Sequence, residues 1–157
     1  MHMSTVQVWK AESTSLNDTL AIAARVGSKL RGGEVIELVS DLGGGKTAFV
    51  RGLAKGMGSK DAVRSPSFTL SNQYRAGELT LHHFDFYRLQ EPGIMRDELA
   101  EVLADEQAIV AVEWANIVES VLPNHRLTIS IKAIGEEQRE LSFSYPSEFE
   151  YLIPINT

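Results

Sequence analysis

Three glycines stand directly before a lysine and a threonine in the stretch SDLGGGKT, which occupies residues 40 to 47. A glycine loop can turn successive backbone N–H groups toward phosphate oxygens. The lysine can reach the β and γ phosphates of a nucleotide, and the hydroxyl that follows can hold magnesium. Glycine runs also occur in plain turns, so the flanking elements decide between a phosphate site and a turn.

A strand precedes this glycine loop and a helix follows it. Residues 35 to 39, VIELV, form a β-branched apolar run that stops where the loop begins, as a buried strand does. Beyond the loop, apolar residues recur at helical spacing from Val50 to Met57. A helix that begins at Lys46 adds the partial positive charge of its N-terminus to the site. This order of elements predicts a phosphate-binding loop, or P-loop.

One position departs from the full P-loop pattern, which has glycine five residues before Gly45. Ser40 occupies that position here. Because glycine reaches backbone angles that serine adopts only at a cost, we expect this side chain to restrict the loop and to weaken nucleotide binding.

Two acidic residues end apolar runs and are candidate partners of the loop. Magnesium prefers oxygen ligands, so a magnesium nucleotide site needs a carboxylate on a neighbouring strand. Glu113 follows AIVAV, the most apolar short run in the chain, and Asp85 follows LTLHHF. A buried acid is costly unless a metal or hydrogen bonds compensate it. The alternative for either residue is a strand-end acid that faces solvent.

Two histidines and a hydroxyl-rich segment carry weaker signals. His83 and Asp85 alternate on one strand face, as ligands of a transition metal can, but a hard-ion site beside Lys46 needs no imidazole. We expect His82 at the surface and His83 in the packing of the core. Residues 65 to 69, SPSFT, follow the loop helix where many nucleotide hydrolases sense the γ-phosphate, and Ser-Pro is equally typical of the start of a strand.

The remaining sequence alternates strands with helices. Ser15 and Asp18 form a capping pair at the start of the first helix. Hydrophobic periodicity predicts strands at 5–10, 35–39, 67–74, 79–87, 108–112, 127–134 and 140–145, and helices at 16–30, 46–57, 94–103 and 116–122. Strands interleaved with helices, with hairpins at the edges, predict an α/β fold: a three-layer P-loop NTPase-like domain with a mixed central sheet, in one domain over residues 1–157.

Composition narrows the functional classes. The 157 residues are 43% hydrophobic and include no cysteine, which fits one globular domain and excludes disulfides and thiolate metal sites. There is no secretory pattern and no apolar run near the ~18 residues of a membrane span, so we expect a cytoplasmic protein without membrane contact. The net charge of −6 argues against a surface field that attracts RNA. One stretch of the chain is mostly basic and contains Arg51, Lys55, Lys60 and Arg64. It is either a solvated helix face or a binding surface.

Four ordered motifs, DLGGGKT, SPSFTL, HFDFYR and VEW, closely resemble those of the bacterial TsaE (also YjeE) ATPases, which take part in making threonylcarbamoyladenosine in tRNA. The resemblance runs from about residue 15 to residue 145. Family members typically have glycine in place of Ser40 and often threonine in place of Ser67. The resemblance implies a small P-loop fold that hydrolyses ATP with magnesium and works with the TsaB and TsaD proteins, TsaD making the transfer to tRNA.

The same resemblance implies roles for individual residues. Lys46 and the loop amides would hold phosphate, Thr47 and Glu113 would bind magnesium, and Asp85 would assist hydrolysis. Trp114 would lie beside the nucleotide. The alternative role for this residue is that of an aromatic side chain in the core or at an interface. The implied nucleotide site comprises Asp41, Leu42, Gly43, Gly44, Gly45, Lys46, Thr47, Ala48 and Trp114. The implied catalytic residues are Lys46, Asp85 and Glu113, and the candidate switch residues are Ser65, Ser67 and Thr69.

Two other functional classes share a P-loop. A small-molecule kinase should add an arginine-rich lid and an acceptor pocket, and no insertion in this chain is long enough for such a lid. A non-hydrolysing nucleotide-binding module is favoured only if Ser40 disables the site.

Overall fold

The computed structural model describes residues 6–40, 45–63, 71–86 and 93–155. Its strands are β1 (Val6–Ser13), β2 (Val35–Ser40), β3 (Ser71–Ala76), β4 (Leu79–Asp85), β5 (Ala108–Glu113), β6 (Leu127–Ala133) and β7 (Arg139–Pro146). Its helices are α1 (Leu16–Gly27), α2 (Lys46–Met57) and α3 (Gly93–Leu103), with short 3₁₀ segments at Ala115–Val118 and Ser147–Leu152.

The seven strands form one mixed sheet in the order β1-β7-β6-β2-β5-β4-β3. The four central strands β6, β2, β5 and β4 run parallel. The outer strands pair antiparallel, β1 with β7, β7 with β6, and β3 with β4. Ligands of such sheets bind at the carboxyl ends of the parallel strands. Here β2, β5 and β4 end at that edge with Ser40, Glu113 and Asp85.

Helices α1 and α2 cover one face of the sheet. Their buried side chains, among them Val26, Phe49 and Leu53, pack with Leu38 of β2 and Ile129 of β6. Each such fully buried side chain contributes about 1.5–3 kcal/mol relative to exposure. The predicted cap of α1 is confirmed by a hydrogen bond from the Asp18 N–H to the Ser15 hydroxyl, 3.1 Å long.

Close contact between the two backbones determines where α2 lies against α1. A Cβ atom on Gly56 would lie 2.0 Å from the Ala24 carbonyl oxygen, and one on Gly52 would lie 2.5 Å from the Ala23 Cβ. Both distances are far inside van der Waals contact, so only glycine permits this approach. The glycines therefore help to hold the first turn of α2 at the carboxyl edge of the sheet.

Helix α3 and the 3₁₀ segment Ala115–Val118 pack against the opposite face. Phe84, Val110 and Val112 of the sheet meet Leu99 of α3 and Val118 there. With helices on both faces, the predicted three-layer α/β architecture with a mixed sheet is confirmed. None of the helices in the described part of the chain is both long enough and apolar enough to cross a membrane.

Some element boundaries differ from the predictions. The helix predicted over residues 116–122 is only the four-residue 3₁₀ segment, closed by i to i−3 bonds such as Glu119 N–H to Asn116 carbonyl. Its β-branched residues favour a helix weakly, and residues 119–121 continue as a turn. The segment Ser147–Leu152 was not predicted. The first part of the strand predicted at 67–74 lies outside the described residues.

Candidate nucleotide site

The site begins at Gly45, which caps α2 with φ 107° and ψ 16°. Side chains are strained at this positive φ, so glycine suits the entry to the helix. The first turn of α2 contains no acidic residue. The N–H groups of a first helical turn lack acceptors within the helix, and the helix dipole makes this end partly positive. The N-terminus of α2 therefore suits an anion.

Lys46 points from this first turn toward the end of β5. Only 7% of the residue is exposed. Its Nζ lies 3.3 Å from Glu113 Oε1, and it donates a hydrogen bond of 3.5 Å to the Ser40 carbonyl oxygen. The same ammonium lies 4.9 Å from the centre of the Trp114 ring, within cation–π range. Lys46 is thus held by weak or exchangeable contacts, which a phosphate group could replace.

Glu113 is a buried carboxylate, 4% exposed, with a different partner on each oxygen. Oε1 faces Lys46, and Oε2 accepts a hydrogen bond from His83 Nε2. Burial raises the pKa of Glu113, but the hydrogen bond and charge of His83, followed by the charge and hydrogen bond of Lys46, outweigh burial and lower the pKa from its ordinary value. The carboxylate is therefore ionised at neutral pH.

Asp85 is the neighbour of Glu113 in the sheet. The two residues are direct partners in the parallel pairing of β4 with β5, so their side chains leave the same face. Asp85 is half-buried. The structure thus brings the two predicted carboxylates together at the edge where α2 begins.

The donor set fits magnesium when a nucleotide is present. Glu113 supplies a carboxylate, and the half-buried Thr47 supplies a hydroxyl in the turn that also carries Lys46. Magnesium is commonly bound by one or two carboxylates, with phosphates and water completing the octahedron. Among the described residues, no group of three or more His, Cys, Asp and Glu could hold a metal by itself. Phosphate oxygens would have to complete the coordination.

One histidine differs from expectation, and the other is buried as expected but has a further partner. His82, predicted at the surface, is only 9% exposed and stacks on Phe84 with 6.5 Å between ring centroids. Burial lowers its pKa, while the charges of Asp105 and Glu98 oppose that shift. The prediction was wrong because β4 is an inner strand with both faces covered. His83, predicted as a packing residue, is fully buried but also holds Glu113.

Trp114 directly follows β5 and is 37% exposed. Its φ of 59° is the single positive value among the non-glycine residues that the structure describes. Such backbone positions are uncommon and cost of order 1–3 kcal/mol. This conformation carries the ring over Lys46 rather than into the core, so the core alternative does not apply.

Several predicted site residues lie outside the described ranges. These are Asp41, Leu42, Gly43 and Gly44 of the loop and the candidate switch residues Ser65, Ser67 and Thr69. The others, from Gly45 to Ala48 with Asp85, Glu113 and Trp114, lie at the N-terminus of α2 or at the strand ends beside it.

Arg139 is a residue of this region that the sequence analysis missed. A Cβ atom on Gly45 would lie 3.5 Å from the Arg139 Nε. Both residues line a cavity of about 210 Å³ with Leu16, Thr19, Ala48 and Glu137. No local pattern marks this arginine, because the pairing of β6 and β7 beside β2 is what brings it to the loop.

Ser40 does not have the strained backbone that the P-loop pattern led us to expect. It is the last residue of β2 and pairs with Ile131 of β6, so its backbone is extended and its φ is not positive. An extended conformation is open to serine at no special cost. The concern that Ser40 restricts the backbone is therefore not supported at this position.

We expect Ser40→Gly to leave nucleotide affinity almost unchanged and to lower the free energy of unfolding by about 0.5–1 kcal/mol, since glycine weakens a strand. Isothermal titration with ATP and chemical unfolding would measure the two effects. A large loss of affinity in the folded variant would instead assign the Ser40 side chain a role in binding.

Comparison with known proteins adds to this geometry. The profile of the family described as Threonylcarbamoyl adenosine biosynthesis protein TsaE matches residues 13–141. The chain belongs to the TsaE family. It is 39% identical over 139 residues to the tRNA threonylcarbamoyladenosine biosynthesis protein TsaE of Bacillus subtilis, covering 86% of this chain and 84% of that protein. The protein of the same name from Treponema pallidum is 38% identical over 130 residues, covering 83% of this chain and 96% of that one.

A solved structure extends the likeness to the whole fold. The crystal structure of Bacillus subtilis YdiB superposes with a TM-score of 0.76 at 35% sequence identity, covering 97% of this TsaE-family chain and 94% of YdiB. The P-loop NTPase-like fold expected from the four motifs is confirmed.

Proposed function

We propose that this TsaE-family chain binds ATP with magnesium and hydrolyses it, as the ATPase component of the machinery that makes N6-threonylcarbamoyladenosine in tRNA. One observation carries the ATPase proposal. Lys46, in the first turn of a helix that follows a glycine loop, lies 3.3 Å from the buried Glu113 carboxylate at the end of the neighbouring strand. A phosphate-binding cation and a candidate magnesium ligand thus meet at one point.

Lys46 and Glu113 neutralise each other in the nucleotide-free protein. Triphosphate at the N-terminus of α2 would offer Lys46 a stronger partner, since charged hydrogen bonds to phosphate are strong. Glu113 and Thr47 would then face the magnesium ion, which neutralises charge on the β and γ phosphate oxygens. The pair therefore serves as a resting arrangement that nucleotide binding opens.

Asp85 is proposed to act on the attacking water. It lies beside Glu113 on the same sheet face and is half-buried, so it remains within reach of solvent. A carboxylate in such a place can orient the water or accept its proton. Glu113, held by two partners, is better suited to binding than to proton transfer.

The nucleoside is proposed to extend toward β7. Gly45 and Ala48 line the cavity of about 210 Å³ that also includes Arg139. In the sheet, β6 and β7 lie on one side of β2 and β5 lies on the other. The phosphates would therefore reach toward Glu113 while the nucleoside lies on the opposite side.

The role in tRNA modification is supported by the names of the relatives. We propose TsaB and TsaD as the partners and contact with tRNA through that complex, within the cytoplasm. A net charge of −6 agrees with a chain that does not grip tRNA by its own field. The single continuous sheet supports one domain over residues 1–157.

Substitution of the two carboxylates separates their roles. We expect Glu113→Gln, which keeps the size of the side chain, to weaken ATP binding in magnesium but much less in EDTA. Asp85→Asn should bind ATP normally and hydrolyse it about 10²–10⁴-fold more slowly, the usual contribution of a general base. Equilibrium binding and phosphate release would measure these effects.

Asp97→Asn, which changes an exposed acid on α3, is the control and should match the unmodified protein. If Asp85→Asn lost binding while Glu113→Gln lost only turnover, the two roles would be exchanged. If neither variant changed binding or turnover, the ATPase proposal would be wrong.

A further inference from the structure

We infer that His83 is a positioning residue of the nucleotide site, which holds Glu113 in place for magnesium while Lys46 changes partners. This inference rests on the proposed function. His83 would then do more than pack in the core, which is the role expected from the sequence.

The two oxygens of Glu113 are divided between two kinds of partner. Oε1 faces Lys46 across 3.3 Å, and the proposed function requires this contact to open when phosphate arrives. Oε2 accepts the hydrogen bond from His83 Nε2, whose ring is fully buried on β4. A carboxylate can only accept, so Nε2 carries the hydrogen. After Lys46 has moved from Glu113 to the phosphate, the hydrogen bond from His83 still restrains the carboxylate.

The surroundings of the ring argue against packing as its only task. His83 Nδ1 is buried and has no hydrogen-bond partner among the described residues. Burying an unpaired polar atom costs free energy, which an apolar side chain of similar size would avoid. The hydrogen bond from Nε2 to Glu113 therefore explains why an imidazole, rather than an apolar side chain, occupies this position. His82, the next residue, points to the opposite face and stacks on Phe84.

A fixed carboxylate matters because magnesium demands nearly ideal octahedral geometry. Groups that hydrogen-bond to a metal ligand orient it, and losing them typically weakens metal binding about 10–100-fold. Without His83, Glu113 would have to be reoriented each time that Lys46 moves to the phosphate. Loss of His83 should therefore impair the magnesium dependence of nucleotide binding rather than the affinity for metal-free nucleotide.

The test is magnesium-dependent binding of a non-hydrolysable fluorescent ATP analogue, so that turnover plays no part. His83→Leu removes the hydrogen bond while keeping much of the volume. His83→Gln places an amide N–H near the position of Nε2. We expect His83→Leu to raise the magnesium concentration for half-maximal binding about 10–100-fold, with binding in EDTA unchanged, and His83→Gln to restore most of the loss. His82→Leu is the matched control and should not shift the magnesium dependence.

The binding data are interpreted for variants that fold, as judged by circular dichroism and melting. If His83→Leu fails to fold, His83→Asn replaces it, since its amide is one methylene too short to reach Glu113. An unshifted magnesium curve in the folded variant, or no recovery in His83→Gln, would overturn the inference and leave the proposed function intact. If the unmodified protein showed no magnesium-dependent nucleotide binding, the proposed function and this inference would both fail.

Discussion

Lys46→Ala is expected to bind ATP roughly 10- to 150-fold more weakly than the unmodified protein. Hydrogen bonds to charged groups contribute about 1.5–3 kcal/mol, which corresponds to that change in Kd. Hydrolysis should fall at least as far, because the lysine also compensates charge that develops in the transition state. Titration calorimetry and phosphate release would measure both quantities.

The same variant should lose stability, which the sequence did not indicate. From sequence, a phosphate-binding lysine contributes little to the core and its removal should leave the melting temperature near normal. In the structure, Lys46 is buried against Glu113, and removing one partner of a buried pair costs on the order of 3 kcal/mol. For a chain of this length, that corresponds to a fall of roughly 6–12 °C in melting temperature.

The stability that the variant Lys46→Ala loses should become smaller as the pH falls. His83 and Lys46 hold the pKa of Glu113 below its ordinary value despite burial. A lowered carboxyl pKa adds stability that is complete above the ordinary pKa and is lost as the pH falls through the folded-state pKa. The difference between Lys46→Ala and the unmodified protein should therefore be full at pH 7 and shrink in acid, as the pH falls below the ordinary pKa of a glutamate.

Lys55→Ala is the matched control, since Lys55 is an exposed lysine on the same helix. It should keep nucleotide affinity, turnover and melting temperature. Unchanged ATP affinity and turnover in Lys46→Ala would contradict the P-loop assignment. A stability loss that persists undiminished in acid would contradict the role given to the Lys46–Glu113 pair.

Hydrolysis by the isolated chain is expected to be slow and to rise when TsaB and TsaD are added. An arginine supplied in trans increases turnover about 10³–10⁵-fold in other P-loop hydrolases, which sets the upper range of the effect. Arg139 lies beside Gly45 on the β7 side of the site, and its Nη1 donates to the carbonyl oxygens of Gly135, Glu136 and Gln138. Its position does not suggest that it reaches the γ-phosphate beside Glu113.

Steady-state phosphate release with and without the two partners would measure this stimulation. In a reconstituted system, Lys46→Ala and Asp85→Asn should fail to support repeated rounds of tRNA modification even if they bind the partners. Full hydrolysis by the chain alone, or equal modification without it, would contradict the partner-driven proposal. The small-molecule kinase would then become the stronger alternative.

The strand and the helix that flank the glycine loop were predictable because their signals are local. A β-branched run, glycines and a helical repeat are contiguous in the chain, and each reflects the preferences of its own residues. The acids at the ends of β4 and β5 could be predicted as well, since apolar runs of that length end at a sheet edge. The four ordered motifs added the family, which no single motif could have specified.

The side-chain neighbours of these residues could not be predicted from the sequence. Parallel pairing of β4 with β5 places Asp85 beside Glu113, and it brings His83 within hydrogen-bonding reach of the same carboxylate. Coverage of both sheet faces buries His82, and the β6–β7 pair carries Arg139 to Gly45. These contacts join distant parts of the chain. They depend on strand order and helix packing, which are set by the burial of the whole core rather than by any local run of residues.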